Sequence, residues 1–282
     1  MKYGLALPNA GVAGDARTLA EFASVAEQAG WDGVFLEDYI THHSASDAPT
    51  YDPWVALAAM ALRTERILLG TSVTPLTRRR PWKVAREAVT LDHLSNGRLI
   101  LGVGLGDLGD PGFAKVGEEI DNWRRAKMLD EALDIVMGLW SGEPFSYHGT
   151  YYSLDEVTFL PTPVQKPRIP IWVGGNSPHR GPLLRAARWD GFCGGKENDG
   201  TNWLFTPDEL RELKAFFESH RTTSAPFDIV IGGNERGDDS ERERASIKAL
   251  AEAGATWWVE YVTPSIGGVD TMRERIKGGP LR

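Results

Sequence analysis

The sequence predicts an α/β protein, a (β/α)8 TIM barrel with an insertion between helix four and strand five. Three observations carry this reading. Apolar strand-like runs alternate with amphipathic helical runs from end to end. The stretch Arg66–Asp107 reads as a complete strand, helix and strand with short connections, and about eight such units fill the 282 residues. A unit of this kind implies parallel strands and a right-handed crossover. A doubly wound sheet is the runner-up, but where it would more often carry GxGxxG this chain reads LPNAGVAGDA.

The elements follow in order. Strand one is Tyr3–Pro8, and a helix over 15–30 ends at Gly30. Strand two, Gly33–Asp38, leads to a helix over 53–63 opened by Asp52-Pro53. Strand three, Ile67–Val73, is apolar and β-branched, as a strand buried on both faces should be. Val84, Ala85, Ala88, Val89, Leu91 and Leu94 recur at helical spacing within 82–95, where Asn96-Gly97 supplies a left-handed stop. Strand four, Leu99–Gly104, precedes a helix over 121–140. The insertion, about 141–168, contains four prolines and reads as irregular. Strand five is Ile169–Gly174, with a helix over 178–188, and strand six is Gly191–Gly194. Thr206-Pro207-Asp208-Glu209 is a full capping box for the helix over 207–220. Strand seven, Phe227–Gly232, a helix over 239–253, strand eight, Thr256–Val262, and a short helix over 269–277 complete the pattern.

Composition fits one soluble domain over residues 1–282. A chain of this length buries about three-quarters of its surface. There is no signal peptide and no apolar run long enough to span a bilayer. Cys193 is the single cysteine, so no internal disulfide can form, which fits a reducing cytoplasm. The net charge of −8 argues against a nucleic-acid or anionic-membrane partner. Ten tryptophans suit a core and also a pocket or interface for a flat aromatic ligand.

Several segments together carry a resemblance. KYGLALP, GTSVTPL, TLDHLSNGRL, LGVGLG, LWSGEPFSYHGTYY and LPTPVQKPRIPIWVGG occur in order from Lys2 to about Gly195. They are similar to the bacterial luciferase-like family of flavin- and deazaflavin-dependent oxidoreductases. The resemblance implies a TIM barrel, a cofactor of the F420 or FMN type, and an insertion after helix four that covers part of the barrel mouth. It also implies a homodimer.

Barrel chemistry gathers just past the strand ends. After strand five, Gly174-Gly175-Asn176-Ser177-Pro178 opens a helix. Read physically it is a phosphate cradle or a Gly turn with an Asn or Ser cap. The resemblance favours the cofactor phosphate. It also implies a non-prolyl cis peptide at Ser72–Val73 that bulges against a flat ring. After strand four, Gly104 leaves room for a planar cofactor, or for tight packing, and Asp107 lies within reach. Strand two ends Glu37-Asp38-Tyr39, where many F420-binding relatives resemble Asp-His; this chain has Tyr39 in place of the histidine. Tyr39 could shuttle a proton if its pKa were lowered. Glu37 and Asp38 read as a buried acid pair or as one carboxylate capping the next loop. His42 and His43 lack metal-ligand spacing and read as a solvated loop.

Of the run Arg78-Arg79-Arg80, one arginine, Arg80 foremost, is a candidate for an anionic cofactor tail or substrate, as is the lone Lys196. In strand eight Trp258 and Glu260 share one face and Trp257 and Tyr261 the other. Either set could point inward, and Glu260 would then be an acid at the mouth. Cys193 reads as a small core residue. Nucleophile-elbow and zinc motifs are missing from the sequence.

The reading is an F420- or FMN-dependent oxidoreductase, leaning to F420 hydride transfer with a small organic substrate. The alternatives are a two-component monooxygenase fed reduced FMN by a separate reductase, a non-catalytic flavin-binding protein, or a TIM-barrel lyase or hydrolase using Glu37, Asp38 and Glu260.

Overall fold

A computed structural model describes residues 1–42, 47–197, 204–237 and 239–282. In chain order the elements begin β1 (Lys2–Leu7), α1 (Ala16–Gln28), β2 (Gly33–Leu36), α2 (Pro53–Arg63), β3 (Leu68–Thr71) and β4 (Thr74–Pro75). Next come α3 (Pro81–Leu94), β5 (Leu99–Gly104), α4 (Asn122–Trp140), β6 (Phe145–His148), β7 (Ser153–Val157) and β8 (Ile171–Ser177). The last are α5 (Arg180–Ala186), β9 (Gly191–Lys196), α6 (Pro207–His220), β10 (Asp228–Asn234), α7 (Ser240–Ala253), β11 (Trp257–Tyr261) and α8 (Val269–Lys277).

Parallel pairing runs β3-β2-β1-β11-β10-β9-β8-β5, and β3 pairs in turn with β5. The ring is therefore closed and its sheet has no open edge. Each barrel strand is followed by a helix that buries one stripe against the outer face of the sheet. The starts agree with local chemistry. Asp52 accepts from the N–H groups of Trp54 and Val55, and Thr206 with Glu209 forms the reciprocal cap. At the end of α3, Asn96 and Gly97 take positive φ angles of 55° and 80°, and the Gly97 N–H donates back to Asp92 O.

Alternation along the strands sorts two cores. Leu5, Leu7, Val34, Leu36, Leu69, Leu101 and Val173 face the helices. Ala6, Phe35, Ile100, Trp172, Val230, Trp257 and Val259 fill the barrel. Phe35, Trp172 and Trp257 meet pairwise with ring centroids 5.1–5.6 Å apart, a plug across the middle of the barrel. Such contacts add about 1 kcal/mol each beyond the area they bury. Above the plug the inward positions are small, including Gly102, Gly104 and Gly174.

Many carboxylates are occupied within the fold. Glu27 accepts from the backbone N–H groups of Glu65, Arg66 and Ile67, and Glu131 from those of Thr150, Tyr151 and Tyr152. Asp92 accepts from Val164 and Gln165, which anchors the end of the insertion.

The insertion departs from expectation twice. It is not wholly irregular, because β6 and β7 form an antiparallel hairpin. Nor does it lie over the mouth. Phe145 packs on Gly138, Arg86 donates to Leu160 O, and His93 Nε2 lies 2.8 Å from Thr162 O, all on the outer faces of α3 and α4. Only Tyr152, edge-on to Trp82 at the start of α3, approaches the rim.

Candidate active site

Strand β2 sets the geometry of the mouth. Gly33 and Phe35 point into the barrel, so the period of two sends Glu37 and then Tyr39 inward while Asp38 points away. The expected Glu37–Asp38 acid pair therefore does not form. Asp38 is buried against the loop after β4. Arg79 grips its carboxylate at 2.8 and 3.1 Å, and Arg78 bonds its carbonyl and stands 3.6 Å from Oδ1. A carboxylate held by two arginines is structural, and the catalytic role expected for Asp38 falls.

The same contacts dispose of most of the arginine run. Arg78 also pairs with Asp110, and its guanidinium lies 4.8 Å above Phe113. Arg125, with 0% of its surface exposed, covers Phe113 at 4.2 Å and donates to the carbonyls of Leu105 and Gly106. This stack braces the loop after β5. Arg80 alone of the three is exposed, with its guanidinium 6.0 Å from the Trp82 ring. Lys196 is not the lone cation expected, because its ammonium is 2.9 Å from the Glu209 carboxylate in the α6 cap.

Tyr39 is placed by Asn9, a fully buried residue that sequence reasoning passed over. The Asn9 amide donates to Tyr39 O at 2.8 Å and to Tyr51 O at 2.6 Å, and its oxygen accepts from Tyr39 N at 3.2 Å. Burial raises the Tyr39 phenol well above its ordinary pKa, and the charges of Glu37 and Asp107 add to the effect. The lowered pKa that a tyrosine shuttle requires is therefore reversed. His42 is not in open solvent: its ring stands edge-on to Tyr39 at 5.3 Å. His43 lies outside the described residues. Asp107 is exposed, with its carboxylate folded onto Gly109 N–H at 2.8 Å.

Strand β11 places Trp257, Val259 and Tyr261 inside and Trp258 and Glu260 against the helices. Glu260 is thus no acid at the mouth. It is buried beside Arg236 at 2.7 Å, and burial raises its pKa despite that partner. Tyr261, by contrast, joins Glu37 above the plug. Burial and the Glu37 and Cys193 charges raise its pKa. Glu37 carries a pKa raised to about 7 by burial. Burial pushes the Cys193 thiol up to about 12, which rules against a thiolate nucleophile.

The wall opposite Glu37 is built by a bulge. Gly70 stands opposite Ile100 but Thr74 opposite Val103, so this strand has one residue more than its neighbour. The extra length falls at Ser72–Val73, whose peptide is cis. Val73 lies over β5 and β8: a Cβ on Gly104 would meet its Cγ2 at 2.8 Å, and one on Gly174 its Cγ1 at 3.0 Å. Gly104 thus makes room for Val73, which presents the wall.

Residues Gly174–Ser177 are not the turn the sequence suggested. Strand β8 continues to Ser177, with Gly175, Asn176 and Ser177 paired to Gly194, Gly195 and Lys196. Gly175 is required by packing, because a Cβ there would meet Pro182 at 2.3 Å. Helix α5 begins only at Arg180. Asn176 is exposed and Ser177 half-buried on the rim of the mouth.

This arrangement fits a flat tricyclic cofactor. Val73, seated against Gly104 and Gly174, would give it a wall, and the polar rim at Asn176–Ser177 would meet a tail. No group of three or more potential ligands for a metal occurs among the described residues.

Comparison with known proteins agrees with this fold. The family model described as luciferase-like monooxygenase matches residues 1–255. The F420-dependent glucose-6-phosphate dehydrogenase of Microbacterium testaceum is 39% identical over 164 residues, 57% of this chain and 47% of that protein. The F420-dependent hydroxymycolic acid dehydrogenase of Mycobacterium tuberculosis is 32% identical over 246 residues, 84% of this chain and 64% of its own. The chain spans about half the length of the first of these relatives and somewhat more of the second. Among solved structures, an F420-dependent secondary alcohol dehydrogenase holding an F420-acetone adduct superposes with a TM-score of 0.76 at 18% identity. The match covers 98% of both chains and supports the fold.

Proposed function

The chain belongs to the luciferase-like monooxygenase family, and from that premise we propose that it is an F420-dependent oxidoreductase acting on a small organic substrate at the barrel mouth. The single observation that carries the reading is the cis Ser72–Val73 bulge, which sets Val73 over Gly104 and Gly174 beside the Phe35–Trp172–Trp257 plug. F420 dependence is supported by the relatives in sequence, which are F420-dependent dehydrogenases. Bound there, the cofactor would supply reversible hydride transfer; the protein supplies orientation, a dry wall and proton handling.

In this reading Val73 backs the ring, Ser72 and Gly174 flank it, and Gly175, Asn176 and Ser177 meet the phosphate-bearing tail. Tyr39 serves as a hydrogen-bond donor. Arg80 is the exposed cation available to an anionic group, whereas Lys196 is held by Glu209. We also expect a homodimer, a separate reductase or dehydrogenase that recycles the cofactor, and residence in a reducing cytoplasm, as the unpaired Cys193 suits. No helix among the described residues is long and apolar enough to cross a membrane.

The test is a fluorescence titration of the purified chain with F420 and with FMN, each oxidised and reduced. Saturable F420 binding without an FMN response is the expected result. Preference for reduced FMN would replace the reading with a two-component monooxygenase, and binding of neither would remove it.

A further inference from the structure

We propose that Glu37 is the proton-transferring residue of this site: its carboxylate takes the proton of the substrate hydroxyl as hydride leaves the adjoining carbon, and returns it in reverse. The proposal rests on the hydride-transfer reading above. It is specific to this chain, because the position after Asp38, where many F420-binding relatives resemble His, is Tyr39 here.

The geometry selects Glu37 by position and by elimination. It follows Phe35 on the inward face of β2, one step above the aromatic plug, so it faces whatever occupies the chamber. Among the described residues it is not drawn into any ion pair or side-chain hydrogen bond. Of the other acids nearby, Asp38 is held by Arg78 and Arg79, Asp110 by Arg78 and Glu260 by Arg236, and Asp107 is exposed with its carboxylate folded onto Gly109 N–H. Tyr39 and Tyr261, the titratable neighbours of Glu37 inside the mouth, are held protonated by burial. Cys193 is protonated for the same reason. The His42 ring stands edge-on to Tyr39 at 5.3 Å. Among the described residues that leaves Glu37 as the group near the mouth able to change protonation state near neutral pH, which is the requirement for a general acid–base.

The step balances. In the oxidising direction the carbinol C–H bond breaks with its electron pair, which leaves as hydride for the cofactor. The O–H bond breaks and its proton passes to a Glu37 carboxylate oxygen, and the carbon–oxygen double bond forms. The substrate loses two electrons and the cofactor gains them.

The experiment compares the full chain with Glu37→Gln and Glu37→Asp. Three readouts are taken: F420 affinity by fluorescence, turnover of isopropanol and of glucose 6-phosphate against pH, and the pH-dependent carboxyl infrared band of the protein without substrate. Glu37→Gln should bind F420 within about two-fold of the parent and lose at least about 100-fold in turnover. It should also lose the pH limb and the carboxyl band that titrate near 7 in the parent. Glu37→Asp should recover part of the turnover with the limb displaced. A Glu37→Gln protein that turns over within a few-fold of the parent with the same pH limb, or that keeps the titrating band, overturns the proposal while leaving the cofactor reading intact. A parent that fails to bind F420, or binds it and turns over neither substrate, removes the hydride-transfer reading and the proposal with it.

Discussion

Replacing Glu37 by glutamine should stabilise the folded protein, and do so only at higher pH. The carboxyl has a pKa of about 7 in the fold against an ordinary 4.5, because burial penalises its charged form. A pKa raised on folding means that the folded state holds the proton more tightly than the unfolded chain. Its contribution is then fully present below about 4.5 and is lost as pH rises through about 7. Each pKa unit corresponds to about 1.4 kcal/mol, so the ionised carboxylate costs the fold up to about 3 kcal/mol above neutrality, less whatever solvent at the open mouth recovers. The amide of glutamine has nearly the same shape and no charge to desolvate. Urea unfolding of both proteins from about pH 5 to about pH 9 should therefore give nearly equal stabilities at the acid end. The variant should gain progressively through the middle of the range and level off. A stability difference that stays constant across that range would refute the account, because it would mean the carboxyl titrates normally and is not desolvated where the fold places it.

Three further outcomes follow from the same geometry. Arg79→Met leaves Asp38 buried with one guanidinium fewer, and should cost about 3–5 kcal/mol in urea unfolding, far more than removal of an exposed arginine. Gly104→Ala puts a methyl 2.8 Å from Val73 Cγ2; it should lower stability by about 1–3 kcal/mol and weaken F420 binding in the fluorescence titration, because the displaced valine is the wall of the chamber. Tyr39, Tyr152 and Tyr261 should not titrate near the ordinary tyrosine value of about 10, so alkaline difference absorbance should fall short by at least three phenolates until the protein unfolds.

How much of this could be read from the chain depends on the range of the forces involved. The strands and helices were legible because each is fixed by local pattern: β5 matches Leu99–Gly104 and α2 matches 53–63 at both ends. Caps at Asp52 and Thr206 bind neighbours two or three residues away, so the sequence contains both partners. The misreadings are long-range. Gly174-Gly175 looked like a turn because glycine is permissive, yet what decides its conformation is pairing with Cys193 and Gly194. Lys196 looked free because Glu209 is thirteen residues on in a different element. Asn9 showed no signal at all, since its importance consists in backbone partners at Tyr39 and Tyr51 that only the closed barrel brings near. Burying an amide this way is worth the cost only if all its bonds are made, which is why its placement is so determinate.

The adjacent acids of β2 show how one short strand divides structural from chemical duty. Glu37 N–H still donates to Leu7 O just past β2, and the two acids part to opposite sides of the sheet there. Outward, Asp38 meets two arginines, and the ion pairs tie β2 to the loop that follows the Val73 bulge. Inward, Glu37 meets two phenols and an aromatic floor, and its charge is disfavoured. The first arrangement depends on the second carboxylate being absent from it: an acid pair on one face would have shared the arginines and left neither group near neutrality. Placing them on alternate faces keeps the wall rigid through Asp38 while leaving Glu37 free to gain and lose a proton. Moving the inward acid one residue along would put it on the arginine side and leave the chamber without a titrating group.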